Sequence, residues 1–183
     1  MTTPHNPSES ATALLDGIRA FIDPAQVRAD PDNCLNDGRD WARLYTPNPL
    51  AVVLPDRIEQ VRQLVGYAND HRLALVPSGG RTGLSGAAVA CRGELVVSLE
   101  RMNRILDFDP IDRGVTCEAG VVTEVLQNFA RDHGLYYPVD FASRGSSQIG
   151  GNLATNAGGI KVVRYGLTRD WVTGLKVVTG RGD

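Results

Sequence analysis

The spacing of apolar residues changes several times along the chain, and each change marks an element. In ATALLDGIRAFI, Leu14, Leu15, Ile18, Phe21 and Ile22 recur at helical intervals, which predicts a helix that Pro24 ends. From Asp23 to Asn48 the chain is rich in Pro, Asp and Asn and carries Trp41 and Tyr45. This stretch reads as an irregular arm, so residues 1–50 are expected to lie at the periphery. From Ala51 short apolar runs alternate with amphipathic segments. AVVL (51–54) and LALV (73–76) read as buried strands, and Ile58, Val61, Leu64, Val65 and Ala68 mark one face of a helix between them. Strand, helix, strand is a βαβ unit, in which the crossover makes the two strands parallel neighbours. Strands are then expected at LVVSL (95–99), near Ile105 to Phe108 and at VTCEA (115–119). A helix with Val122, Val125, Leu126 and Phe129 on one side stops at Gly134, and a last apolar strand is expected at LKVV (175–178).

Composition narrows the class. With 183 residues, 42% hydrophobic and 22% charged, the chain is long and apolar enough for a real core. A formal charge of −2 without a clustered Lys/Arg face argues against a nucleic-acid partner. No apolar run approaches the roughly 18 residues of a membrane span. The opening MTTPHNPSES has neither the basic nor the apolar region of a signal peptide, so a cytoplasmic location is expected. Cys34, Cys91 and Cys117 are odd in number and far apart, which fits free thiols better than a disulfide set or a metal knuckle. No metal site is expected. Gly is over-represented, with 20 residues where average usage gives roughly 13.

Those glycines gather in two places. Pro77-Ser78-Gly79-Gly80-Arg81-Thr82-Gly83-Leu84-Ser85-Gly86 follows a predicted buried strand. Clustered glycine lets backbone N–H groups turn toward one point and makes a concave anion site, to which Ser78, Thr82 and Ser85 add hydroxyls and Arg81 adds charge. A plain flexible turn is the competing reading. The sequence contains no Gly-Lys pair, which excludes a P-loop, and no glycine cluster has the i, i+2, i+5 spacing of a Rossmann fingerprint. The second concentration runs from Gly145 to Gly159 and interleaves small residues with the amides of Gln148, Asn152 and Asn156. Small residues admit a flat ligand and amides meet ring edges or ribose; a tightly packed turn or helix start is the alternative.

Taken together, these motifs resemble the FAD-binding half of the FAD-linked oxidase family typified by vanillyl-alcohol oxidase. The resemblance covers about Ala51 to Asp183 and is strongest to the branch of D-2-hydroxyglutarate dehydrogenase, D-lactate dehydrogenase and the glycolate oxidase flavin subunit. It is carried by Pro77 to Gly83, by Tyr137-Pro138-Val139-Asp140, by the run from Gly145 to Gly159 and by Arg164-Tyr165-Gly166. The resemblance implies that the first loop, with Pro77, Gly79, Gly80, Arg81, Thr82, Gly83, Leu84 and Ser85, holds the FAD pyrophosphate. It implies that Pro138, Asp140, Gly145, Ser146, Gln148, Ile149, Gly150, Gly151, Asn152, Ala154, Thr155, Asn156, Gly158 and Gly159 line the ribityl chain, the ring and the remaining phosphate contacts. Relatives with covalent flavin often carry His in the first glycine loop where this sequence has Arg81, so noncovalent FAD is expected.

The fold implied is α+β, a small parallel subdomain at about 51–89 and a larger mixed or antiparallel one at about 95–183, with FAD between them. In similar enzymes the groups that bind substrate carboxylate and take the hydroxyl proton come from a C-terminal domain. No catalytic residue is therefore assigned here, and the chain is expected to be the C-terminally truncated flavin-binding portion of a 2-hydroxy-acid dehydrogenase or oxidase. Its parent would take a small 2-hydroxy acid and an electron acceptor, and the fragment could self-associate through exposed edges. A complete, noncatalytic FAD-binding subunit of a multi-subunit oxidase is the alternative, and a reductase of cell-wall precursor synthesis sharing the flavin fold is a third reading.

Overall fold

The structure is a computed structural model that describes residues 10–183. It has two units, one reaching to Arg101 and including Val177–Asp183, the other Met102–Lys176. In the first, β2 (Ala51–Val53) and β4 (Leu95–Ser98) are buried along their whole length and pair in parallel with Ala51 opposite Leu95. Strands covered on both faces read as unbroken apolar runs. Ala51, Val53, Leu95 and Val97 pack on one face with Leu15, Ile18, Ile22 and Leu64, while Val52, Leu54 and Val96 meet Ala90 on the other. β3 (Leu75–Ser78) flanks β4 in parallel, and β1 (Val27–Arg28) flanks β2 antiparallel.

Helix α1 (Ala11–Arg19) starts at Ser10, whose hydroxyl accepts the Ala13 N–H at 3.2 Å, a satisfied N-cap. Helix α3 (Ile58–His71) turns out of its last residue through Arg72 in the left-handed region. The Tyr67 hydroxyl on α3 donates to the Leu14 carbonyl at 3.0 Å and fills the space that a β-carbon on Gly17 would need. A short helix α2 (Pro31–Asp37) is capped by Asp30. In the second unit β5 (Ile105–Asp109) and β6 (Gly114–Cys117) form an antiparallel pair. Helix α4 (Thr123–Asp132) brings Phe129 edge-on to Phe108 and packs Leu126 with Val121 and Ile149. It ends as expected near Gly134, which takes φ +70. Helices α5 (Ile149–Thr155) and α6 (Val162–Tyr165) complete the unit.

The α+β class stands, with a mostly parallel mixed sheet and an antiparallel pair, and five expectations change in detail. Strands 51–53 and 75–78 run parallel but are not neighbours, because β4 inserts between them in the order β1-β2-β4-β3. The 95–98 strand, expected to open the second subdomain, is thus central to the first sheet, and the antiparallel sheet is the smaller one, with two strands among the described residues. No strand forms at 175–178, where Leu175 and Val177 are exposed and, among the described residues, no neighbouring strand supplies ladder partners. Residues 10–28 are not peripheral: Ile18 is fully buried and Val27 nearly so, since the apolar stripe of α1 closes one face of the sheet.

That last correction is directly measurable. Ile18→Ala is expected to lower unfolding free energy by about 2–5 kcal/mol in urea titration, the usual range for a fully buried aliphatic. A loss below about 0.5 kcal/mol, as at a surface position, would remove α1 from the core.

Candidate functional site

The first glycine segment leaves the carboxyl end of β3, where parallel α/β sheets bind their ligands. Pro77 is tolerated because β3 is an edge strand. Ser78 on β3 stands opposite Ser98 on β4. Both residues are 1% exposed or less, and neither hydroxyl has a protein partner. A buried polar group left unsatisfied costs about 1–3 kcal/mol, which sets this serine pair apart from the apolar rest of β4. Beyond it, among the described residues, no protein group accepts from the backbone N–H groups of Gly79 to Ser85. The loop's fixed points lie elsewhere. Gly86 N–H donates to Asp40 Oδ2 at 2.8 Å, and the Gly83 carbonyl accepts the Trp41 N–H at 3.1 Å. A β-carbon on Gly83 would meet nothing within 4 Å.

Arg81 departs from the simple picture of a phosphate-facing cation. It has φ +56, a region that costs a non-glycine residue of order 1–3 kcal/mol unless its surroundings impose it. Its guanidinium lies 3.2 Å from Asp37 Oδ1. Asp37 is buried, and its other oxygen is 3.7 Å from Arg28, which also reaches Glu100. Sequence reading missed Asp37 and Asp40, although Asp30-Pro31 is a recognisable helix start that could have placed α2.

The second segment is only in part a loop. Ser146 and Ser147 donate backbone N–H to the Ser143 carbonyl in an exposed turn beside Gly145. From Ile149 the chain is helical, and much of the expected ligand chemistry is engaged in packing. Ile149 and Gly150 N–H groups donate to the Val121 and Ala119 carbonyls at 2.9 and 2.8 Å, and a β-carbon on Gly150 would come within 2.7 Å of the Ala119 methyl. Asn152 donates its amide to Thr123 Oγ1 at 2.7 Å, and that hydroxyl also bonds the buried Ser147 at 2.8 Å. Asn156 closes the helix in the left-handed region and accepts the Arg169 N–H at 3.1 Å. Gly151, Ala154 and Thr155 face outward on α5. Gln148 is buried with Oε1 unpartnered. Gly158 lies under Leu167, and Gly159 takes φ +83 against the Asp140 carbonyl, with which it forms a parallel bridge.

Pro138 is buried ahead of Asp140, whose carboxylate binds Lys161 at 2.9 Å and Arg144 at 3.2 Å. The Lys161 hydrogen bond, with help from Arg144, holds the Asp140 carboxyl below the usual range, outweighing burial, which pushes the other way. Burial and then nearby Cys117 push the Tyr137 phenol up to about 12. Burial likewise raises the Cys117 thiol, with Glu118 adding to it, so at neutral pH neither group is a base or nucleophile. Among the described residues no three His, Cys, Asp or Glu side chains could share a metal ion. His71 and His133 sit at helix ends, His71 stacked on Tyr67 and His133 on Phe129. The backbone N–H groups of Gly79 to Ser85 thus have no protein acceptor among the described residues, and residues 83–85 are exposed.

Comparison with known proteins gives the family. The family described as the FAD binding domain matches residues 49–183. This chain belongs to that family. The FAD-binding domain is 60% identical over 171 residues to the D-2-hydroxyglutarate dehydrogenase of Stutzerimonas stutzeri, covering 93% of this chain and 37% of that protein. It is 40% identical to the mitochondrial D-2-hydroxyglutarate dehydrogenase of Arabidopsis thaliana, covering 91% and 30%. The chain thus spans about a third of the length of these relatives. Among solved structures, 4-ethylphenol oxidase from Gulosibacter chungangensis has a TM-score of 0.81 at 22% identity, covering 100% of this chain and 36% of that one. Alkyldihydroxyacetonephosphate synthase has 0.79 at 24%, covering 90% and 36%. At such identities the shared property is the fold. The cofactor is FAD.

The Asp140 cluster in the FAD-binding domain carries a pH signature. A lowered folded pKa contributes stability that is complete above the unfolded value near 3.9 and is lost as pH falls through the folded value. Asp140→Asn is therefore expected to destabilise at pH 7 and much less near pH 2, in urea titrations at the two values. An equal loss at both would remove the ion pairs as the cause.

Proposed function

We propose that the chain binds FAD noncovalently as the flavin-holding part of a longer enzyme that oxidises a D-2-hydroxy acid of the 2-hydroxyglutarate class to the 2-oxo acid. The observation that carries this reading is the 60% identity to a D-2-hydroxyglutarate dehydrogenase across 93% of the chain. Bound FAD supplies the hydride acceptor for the substrate α-carbon. The loop from Gly79 to Ser85 takes the pyrophosphate through backbone N–H groups, with Ser78 below it. Gln148 and the exposed Gly151, Ala154 and Thr155 of the second segment face the ribityl and ring portions, while Gly150 and Asn152 shape the segment from behind. Binding of substrate carboxylate and removal of the hydroxyl proton fall to residues of the longer enzyme, which passes electrons to a separate acceptor. Free Cys34, Cys91 and Cys117 suit the reducing cytoplasm. No helix among the described residues is long and apolar enough to cross a membrane. Exposed Ile111, Ile160 and Val163 make self-association of the isolated chain part of the same reading.

Purified chain mixed with FAD and freed of excess is expected to keep a flavin absorption band. Gly83→Val should weaken FAD binding about tenfold or more with an unchanged unfolding midpoint, since an added β-carbon meets no protein atom within 4 Å but crowds the loop assigned here to the pyrophosphate. A colourless chain that takes up no FAD in calorimetry would overturn cofactor binding. Expressed over its whole reading frame, the protein is expected to bleach on D-2-hydroxyglutarate and not on the L enantiomer, and bleaching by neither would overturn the substrate class.

A further inference from the structure

The anion loop is anchored by a segment outside the stretch that the FAD binding domain family matches, which begins at residue 49. Asp37 ends α2 and Asp40 follows three residues later, and both are buried beside a loop that leaves its N–H groups free. For an anion site this is the wrong charge to bury nearby unless the carboxylates act on the loop instead of the ligand. Their contacts are of that kind. Asp40 accepts the N–H groups of Ala42 and Gly86, and Asp37 holds the guanidinium of Arg81 at 3.2 Å while Arg28 backs its second oxygen at 3.7 Å. Arg81 is at φ +56, a conformation a side chain adopts only when something imposes it.

We propose that Asp37 is a positioning residue for the phosphate loop: it ties the Arg81 guanidinium to α2, fixes Arg81 in the left-handed region and so keeps the adjacent N–H groups turned toward one point. Arg81 then serves the loop's shape and is not itself the phosphate ligand. This rests on the FAD reading above and adds to it a residue that touches no cofactor. The sign of the effect separates it from a through-space charge. If Asp37 acted on the anion directly, or merely withheld Arg81 from it, neutralising Asp37 would tighten binding.

The test measures Kd for FAD and, separately, for inorganic pyrophosphate with the full chain. Asp37→Asn and Arg81→Ala are each expected to weaken both ligands about tenfold, because each leaves a β-carbon at positive φ without its tie. Arg81→Gly, which adopts that φ freely, should stay within about twofold of the unsubstituted chain. Asp37→Asn should add nothing in the Arg81→Gly background. Tighter binding by Asp37→Asn, or Arg81→Gly as weak as Arg81→Ala, would overturn the proposal. The comparison of Ala with Gly at position 81 leaves Asp37 untouched and decides the matter even where Asp37→Asn lowers the unfolding midpoint. Pyrophosphate binding with this ranking but no FAD binding would remove the FAD reading and leave the positioning role. Binding of neither ligand overturns both.

Discussion

A loop that reserves its backbone N–H groups for a ligand cannot use them to hold its own shape. From Gly79 to Ser85 no backbone N–H has a protein acceptor among the described residues, and residues 83–85 are exposed, so rigidity in this run comes from outside it. Here it comes from both flanks. On one side β3 is locked to the fully buried β4 with Ser78 opposite Ser98, and on the other Gly86 is fixed by Asp40. The sheet order matters for the same reason. With β4 interior and β3 at the edge, the loop springs from a strand that is rigid along one side and open along the other.

The second glycine segment answers a different constraint. Around α5, glycine and amide residues are largely consumed by close packing: Gly150 against Ala119, Gly158 under Leu167, Gly159 against the Asp140 carbonyl, and Asn152 in the buried pair of Thr123 and Ser147. These contacts fix the helix from behind. The same composition therefore sits in two settings, open space at Gly83 and close backbone approach at Gly150, and the space around each β-carbon tells them apart.

This distinction explains what was legible in the sequence. Short apolar runs and period-3.6 patterns placed α1, α3, α4 and most strands because burial dictates them, and the clustered glycines located the loop after β3. Strand order was not legible, because 51–54 and 73–76 make the same apolar pattern whether or not 95–98 comes between them. Nor was the failure of 175–178 to form a strand, since a ladder depends on a partner and not on the apolar run itself. The acidic residues of α2 carry no pattern that distinguishes a loop anchor from a solvated helix face. Asp37 and Asp40 became visible only through burial and through the groups they hold.

Electrostatics on this chain follow from the same arrangement. With a formal charge of −2 the protein offers a dinucleotide no long-range attraction. Arg81 and Arg28 are turned to Asp37 and Glu100 instead of solvent. On the proposed FAD reading, attraction for the anion falls to N–H dipoles acting at hydrogen-bond distance, well inside the roughly 8–10 Å over which salt screens exposed charges. Such a site selects by geometry: it favours a phosphate seated in the concavity and gives little to an anion that merely approaches. The same reading makes the conformation of residues 79–86, more than their charge, the quantity that the surrounding fold has to maintain.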